Sequence, residues 1–474
     1  MLVPINLTGG SYTHKSTQLS AQSCVNLWPQ PQTNEKAKSP YILESYPGKS
    51  LFGTQAGGVD RGMFEHGEVL YKITGTVLYS VNSSGTHTSV GTIPGTERCI
   101  FAPIGDDLVI DNGSARYFAD VSVPSVALIS DANLEAGHGI AHLNSQIIYN
   151  GAAGRFGVSD AGVATSIDAL NYATAEADAD GLVRPYTFGQ VAQMLGRKTG
   201  ELWWNSGQGN PPLERFEGGV IQKGLGAFHS VANDDDSIYI LANDFAVFTL
   251  AGGSSAVIEP ITPPTIARTF REYSTKSDAI GWCMNWDGQW VYVLTFPTAD
   301  KTWAHAKGGE WFELSSGVAG GRDIANSYAF VYGKHLVADY RNGNIYQLDD
   351  DVYDDNGAVL IRQRDSAPLH GGLQAIGAPG KELVMNSFEL IMEKGVGLLT
   401  GQGSDPVVML SFSDDGGETF SNEIYMTVGK SGAFNWKAEA FCLGRFYSRI
   451  IRIRMSDPVY WSIHAAAANI EVCI

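Results

Sequence analysis

Carboxylates are the chemistry this sequence offers most freely. Ser413-Asp414-Asp415-Gly416-Gly417-Glu418-Thr419-Phe420 fits the pattern Ser-x-Asp-x-Gly-x-Thr-aromatic. A carboxylate so placed can accept backbone N–H groups and fix a hairpin turn. Asp415 is therefore expected to hold the turn, Ser413, Gly417 and Thr419 to shape it, and Phe420 to pack beneath. Two further acidic runs, Asp234-Asp235-Asp236 and Asp349-Asp350-Asp351 with Asp354-Asp355, lack the spaced ligands of a calcium-binding loop. They read as solvated turn tips. The histidines are scattered, with no His-Glu-x-x-His, no Walker loop, no Gly-x-Gly-x-x-Gly and no Gly-x-Ser-x-Gly. The expectation is no catalytic residue, no metal site and no cofactor.

Boxes of this kind recur in sialidases, and a pair of carboxylates can cleave glycosides. A glycan-binding or glycan-cleaving propeller is therefore the alternative reading. Here the box occurs once and outside the repeats described below, which favours a structural turn. The one basic cluster is Arg445, Arg449, Arg452 and Arg454. Arg452 and Arg454 are two apart on an expected strand, so they share the face opposite Ile451 and Ile453. The cluster is a candidate subunit interface, pairing with acidic surface on a neighbouring copy, and otherwise a solvated face.

The elements that would position these groups are strands. Val69-Leu70-Tyr71-Lys72-Ile73 and Val77-Leu78-Tyr79-Ser80-Val81 alternate apolar and polar residues about Thr74-Gly75, the pattern of a hairpin. Similar pairs follow at 107–118, 146–158, 237–250, 289–294 and 335–348. A lone hairpin buries too little to be stable, but hairpins recurring every 40–50 residues, as about six units or seven, can stack as blades around an axis. The fold class is all-β: a propeller of about six blades, an extended N-terminal arm and a C-terminal β-sandwich. Glycine, 55 of 474 residues, supplies the positive-φ positions such a fold needs.

Residues 1–60 read as the arm, with prolines at 4, 29, 31, 40 and 47 and anchors at Trp28, Tyr41, Tyr46 and Phe52. Residues 61–368 read as the propeller, although 180–225 is hard to partition. Within it, Ser166 to Glu176 is expected to form a short capped helix, and Leu202-Trp203-Trp204 a buried strand. Residues 369–380 read as a linker. Residues 381–474 read as the sandwich, with strands at 387–392, 407–412 and 449–454.

Net charge is −18, from 32 basic against 50 acidic residues, and the segment 381–474 is itself acidic. Such a surface repels nucleic-acid phosphates and anionic lipid. Five well-separated cysteines, Cys24, Cys99, Cys283, Cys442 and Cys473, read as free thiols in a reducing compartment. No signal peptide or membrane span is expected.

The order of these features is similar to that of a known family. A proline-rich arm ends in Tyr41-Ile42-Leu43-Glu44-Ser45-Tyr46-Pro47-Gly48, a hairpin propeller follows with Asn171-Tyr172-Ala173-Thr174-Ala175-Glu176 in its middle, and Gly444-Arg445-Phe446-Tyr447-Ser448-Arg449-Ile450 precedes a last strand. The chain resembles the packaged-DNA stabilisation proteins of short-tailed bacteriophages, also called tail hub or nozzle proteins. The resemblance implies a homo-hexameric ring below the portal and its adaptor ring. It implies a channel for DNA, contacts to tail fibres or spikes and to a plug or needle, and assembly in the host cytoplasm into the virion tail. It implies no catalytic residues, no cofactor and no insertion into a membrane.

Overall fold

The computed structural model describes residues 1–31, 41–175, 178, 180–253 and 255–473. The chain divides into two compact units: one of Met1–Ser50, Lys301–Asp323 and Leu348–Ile474, the other of Leu51–Asp300 and Ile324–Gln347.

The second unit carries the propeller, and the propeller has six four-stranded antiparallel blades. The first is Asp60–His66, Val69–Thr74, Val77–Val81 and His87–Thr92. The Thr74–Val77 turn shows why glycine is needed. Gly75 sits at φ +57°, where a Cβ would lie 2.4 Å from the Gly57 carbonyl oxygen. The next four blades begin at Ile100, Ile140, Leu182 and Ala232. The sixth is Ala325–Val331, Lys334–Asp339 and Ile345–Asp349, with Gly48–Gly53 supplying its outer strand from ahead of the first blade. A further hairpin, Ile280–Trp286 with Gln289–Phe296, has its first strand packed beside Ala232–Asn233 and Ala325–Val331. The expected unit at 289–294 is this hairpin, which lies outside the six four-stranded sheets, while the stretch 180–225, which left the count between six and seven, supplies one of them.

Apolar clusters lie between blades, which is why a hairpin alone would not hold. Ile73, Leu78 and Ile93 of the first blade pack with Leu108 and Ile110 of the second. Leu70 and Val81 pack with Leu336 and Ile345 of the sixth, so first and last blades share a core. Each fully buried Leu, Ile or Val contributes roughly 1.5–3 kcal/mol relative to exposure. The segment 180–225 resolves into a blade, Leu182–Phe188, Val191–Gly196, Gly200–Asn205 and Leu213–Ile221. Trp203 is buried there, whereas Trp204 on the opposite face is exposed.

The helix expected over 166–176 does not form. Ser166 Oγ donates to Asp160 at 2.6 Å, and Tyr172–Thr174 is the outer strand of the third blade, pairing with Arg155–Gly157. Pairing with a neighbouring strand outweighs weak helical spacing; Glu176 lies outside the described residues. The α-helix among the described residues is Pro264–Glu272. Proline at its first position needs no N–H partner, and Ile266, Ala267 and Phe270 form its buried face. No helix is long and apolar enough to cross a membrane among the described residues.

The first unit is a sandwich whose strands come from distant parts of the chain. One seven-stranded sheet runs Ala438–Phe441, Leu383–Met392, Ser462–Val472, Tyr41–Ser45, Leu27–Pro31, with Leu2–Ile5 on Ser462–Val472 and Arg445–Phe446 on Leu383–Met392. In a second sheet of this unit, Arg362–Asp365 pairs with Ser448–Met455, which pairs with Val407–Ser413, which pairs with Ile424–Thr427. Trp28, Trp311 and Trp461 are among its largest buried side chains. The N-terminal segment is thus largely strand, since Leu27, Trp28 and Leu43 bury their side chains and their backbone groups need ladder partners. Residues 301–323 and 348–368 also belong to this unit rather than to the propeller. The segment 369–380 is not a free linker: Leu369 is buried opposite Arg449, and Ile376 is buried too.

Candidate functional site

The acidic box sits where Val407–Ser413 ends. Ser413 Oγ donates to Asp415 Oδ1 at 2.6 Å and accepts from Gly417 N at 2.8 Å. Asp415 also accepts Thr419 N at 3.0 Å and Thr419 Oγ1 at 2.6 Å. Hydrogen bonds from Ser413, then from Thr419, hold the Asp415 carboxyl well below its usual range although it is solvent-exposed. Gly416 and Gly417 take positive φ to turn the chain. Ser413, Asp415, Gly416, Gly417 and Thr419 thus shape the turn, and the Asp415 oxygens are engaged within it. Phe420 lies half-buried beneath Arg452, whose guanidinium carbon is 3.5 Å from the ring centroid.

The arginines expected to reach a neighbouring subunit find partners within their own unit. Arg449 is buried, donates to Asp414 through two bonds of 2.7 Å, donates to the Leu443 carbonyl at 2.5 Å, and lies over Phe412. Arg452 makes a two-pronged contact of 2.8 Å with Asp365, the residue directly opposite it on Arg362–Asp365. Arg454 pairs with Glu423 at 3.0 Å. Arg445 is exposed and reaches Glu382 at 3.4 Å. The reason is geometric: on a central strand flanked on both sides, side chains of Ser448–Met455 meet neighbouring strands before they meet solvent. Arg452 and Arg454 do share the face opposite Ile451 and Ile453, and those isoleucines are buried.

The acidic runs are not uniformly solvated. Asp234 is buried and accepts Asp236 N, Ser237 N and the Tyr239 hydroxyl at 2.7–2.9 Å, so it caps a turn. Oxygens of Asp234, Asp235 and Asp236 come within 4.8 Å of one another. Asp355 is buried as well, 2.9 Å from the Lys49 ammonium, which also meets Asp323 at 2.8 Å. Burial opposes the charge on Lys49, but Asp323 and then Asp355 outweigh it and hold the ammonium above its ordinary pKa. Neither Lys49 nor Asp365 stands out in the sequence. The signal for Asp365 was its place in Arg362-Gln363-Arg364-Asp365, a charged run that also satisfies strand spacing.

The thiols of Cys24 and Cys99 are buried, and burial pushes both up to about 12. All five cysteines are free.

These features define a two-module β protein, propeller and sandwich, whose charged side chains around the box and the arginine strand brace turns and strands. The chain belongs to the family of bacteriophage P22 Gp10, the tail hub or nozzle family of podoviruses: its β-propeller model matches residues 1–353 and its β-sandwich model residues 374–471. It is a structural component of a phage tail and hence of the virion. No curated protein matches the chain. Among solved structures, the Neurospora crassa Pan2 WD40 domain is similar at 10% identity and TM-score 0.43, covering 65% of this chain and 97% of that one. BamB from Moraxella catarrhalis is similar at 12% identity and TM-score 0.38, covering 74% and 98%. The computationally designed Ika8 protein is similar at 8% identity and TM-score 0.39, covering 64% and 100%.

Proposed function

We propose that this chain is the subunit of a homo-hexameric tail hub, a ring below the portal and adaptor that extends the DNA channel and retains packaged DNA. In this reading the ring anchors tail fibres or spikes and a plug or needle, and it assembles in the host cytoplasm. The observation that carries the proposal is the match of both modules, in order, to one phage tail family. The charge fits: a net −18 surface lets a polyanion slide without sticking.

A closed ring needs a heterologous interface, one patch meeting a different patch. With Arg449, Arg452 and Arg454 engaged inside the chain, we place that contact on apolar surface of the sandwich. Tyr425, Phe434, Trp436, Phe441 and Tyr447 are all exposed there, and aromatic side chains favour interface cores. The ring should then persist from about 0.15 M to about 1 M salt, although the Debye length falls from about 8 Å to about 3 Å. The glycan reading is not favoured, because the Asp415 carboxylate is held in its own turn. The decisive measurement is an image of the intact tail in which this chain is located. Six copies in a ring beneath the portal support the proposal; three copies at a distal fibre, or none in the particle, would sink it.

A further inference from the structure

Inside the propeller unit the inner strands line an open cavity of about 320 Å³, walled in part by Arg98, Arg184, His229 and Tyr328. A second cavity of about 310 Å³ adjoins it and shares Arg184 and Tyr186. Among the described residues no aspartate or glutamate lines either one. In a chain of net charge −18, this is a cationic interior.

Both guanidiniums are incompletely satisfied. Arg184 Nη1 donates to the Phe228 carbonyl at 2.8 Å, while Arg184 Nε and Arg98 Nη1 are closed to water and have no hydrogen-bond partner. Both side chains are half-buried and line the space. Asp60 and Asp111, the carboxylates whose charge acts on Arg98 and Arg184 respectively, are engaged elsewhere. Asp60 accepts Ser327 Oγ at 2.7 Å and Asn326 Nδ2 at 2.9 Å. Asp111 accepts Gly139 N at 2.7 Å and pairs with His138 at 2.9 Å. Burial lowers the pKa of both arginines, Arg184 to about 10, and the charge of Arg98 adds to the lowering at Arg184. Burial first, then these two arginines, hold His229 neutral.

Two like charges in a poorly solvated space repel, and an anion between them would relieve both. Guanidinium groups match the geometry of oxyanions through paired N–H donors. We propose that the central cavity of the propeller binds a small oxyanion, of the phosphate or carboxylate type, between Arg98 and Arg184. The volume accepts such a group together with water.

The test is thermal melting of the full-length protein in inorganic phosphate, citrate and chloride at matched ionic strength. Phosphate or citrate should raise the midpoint over chloride in a saturating, dose-dependent way, and the anion that does so identifies the source. Arg98→Gln and Arg184→Gln should each raise the dissociation constant at least tenfold, with Arg98→Lys losing less. Equal melting in all three salts overturns the proposal, as does an undiminished shift in either glutamine variant. Should a variant fail to fold, a crystal of the unaltered protein soaked in selenate decides the matter. An anomalous peak between the two guanidiniums supports the site, and its absence there refutes it.

Discussion

Among the described residues each unit buries one lysine, and the two are treated in opposite ways. In the sandwich, Lys49 meets two buried carboxylates, Asp323 and Asp355. In the propeller, Lys72 donates to the Gly343 carbonyl at 2.7 Å and more weakly to that of Asn344, with no carboxylate in contact. Burial dominates at Lys72 and draws its pKa down to about 8, with Asp60 and Asp339 offsetting only part of it. At Lys49 the carboxylates win. Backbone dipoles can therefore seat a buried ammonium without keeping its charge favourable, whereas a pair of carboxylates does both. The comparison also shows what each unit risks. Loss of Lys49 leaves two negative charges in a dry interior; loss of Lys72 leaves only carbonyls.

The sharpest test of that contrast is to replace each lysine with methionine, which keeps much of the apolar stem. Lys49→Met should destabilise the sandwich by about 3–5 kcal/mol, the range for stranding buried charges. Lys72→Met should stay within about 1 kcal/mol at neutral pH, since the ammonium it removes was costly to bury. Adding Asp323→Asn and Asp355→Asn to Lys49→Met should recover most of the loss. Denaturant unfolding of the three variants measures this, with each unit's transition followed separately because two-unit chains need not unfold in one step. Equal losses at the two positions would break the comparison. A pH series sharpens it further. The folded pKa of Lys72, about 8, lies below its unfolded value of 10.5, so its cost is full below pH 8 and relieved as pH rises towards 10.5. The wild-type advantage over Lys72→Met should therefore grow by about 2–3 kcal/mol between pH 8 and pH 10. Lys49, raised instead, should give no such gain: its contribution is fully present below pH 10.5 and is lost only as pH climbs through its higher folded value.

The sandwich has its own buried base without a counter-charge in contact. His305 is buried against Trp311, with ring centroids 5.0 Å apart, and its Nδ1 has no hydrogen-bond partner. Burial lowers its pKa from 6.5 to about 4. The unfolded chain therefore binds the proton more readily between those values, and stability falls as pH drops from 6.5 to 4 and is unaffected by this group below. The loss should reach about 2 kcal/mol by pH 5. His305→Phe should flatten that part of the sandwich's acid profile. Parallel acid profiles for both proteins would mean that His305 does not behave like Lys72.

How much of this could be read from the chain depended on burial pattern. The hairpins recognised in the sequence, such as Gln146–Asn150 with Arg155–Val158, are middle strands of blades, flanked on both sides and, apart from Arg155, buried. Outer strands such as Ser125–Leu128 are largely exposed and carry no alternation to find. Arg449 shows the opposite failure. Its type and neighbours suggested a surface, yet Asp414, Phe412 and the Leu443 carbonyl enclose it, and that arrangement depends on strand pairing rather than local spacing. Arg98 and Arg184 were hidden for the same reason: they are far apart in sequence and share a wall only because blades close on an axis. The discontinuous sandwich was illegible because Tyr41–Ser45 and Ser462–Val472 pair across almost the whole chain. The turn of the acidic box was legible because the hydrogen bonds of Asp415 and Ser413 that shape it are local, whereas the bonds from Arg449 to Asp414 were not.

That locality makes Asp415 the smallest and cleanest contrast with the buried carboxylates. Asp323 and Asp355 work through a cation in a dry interior; Asp415 works at the surface, through hydrogen bonds from Ser413 and Thr419 and without a cation in the turn. Its lowered pKa means that its contribution is present above 3.8, the unfolded value, and is lost as pH falls through the lower folded one. Water competes for these bonds, so the expected effect is modest: Asp415→Ala should lower the melting midpoint of the sandwich by about 2–4 °C. Asp415→Asn, which keeps one acceptor oxygen, should lose less. High salt should change neither result much, because the Asp415 bonds span a single turn and involve no ion pair. If the box fixes the chain beneath it, Asp415→Ala should also disturb the Phe420 ring under Arg452, visible as a shift of its aromatic NMR signals. A variant that melts with the wild type and leaves Phe420 unmoved would show that pairing of Val407–Ser413 with Ser448–Met455 positions this turn without help from its carboxylate.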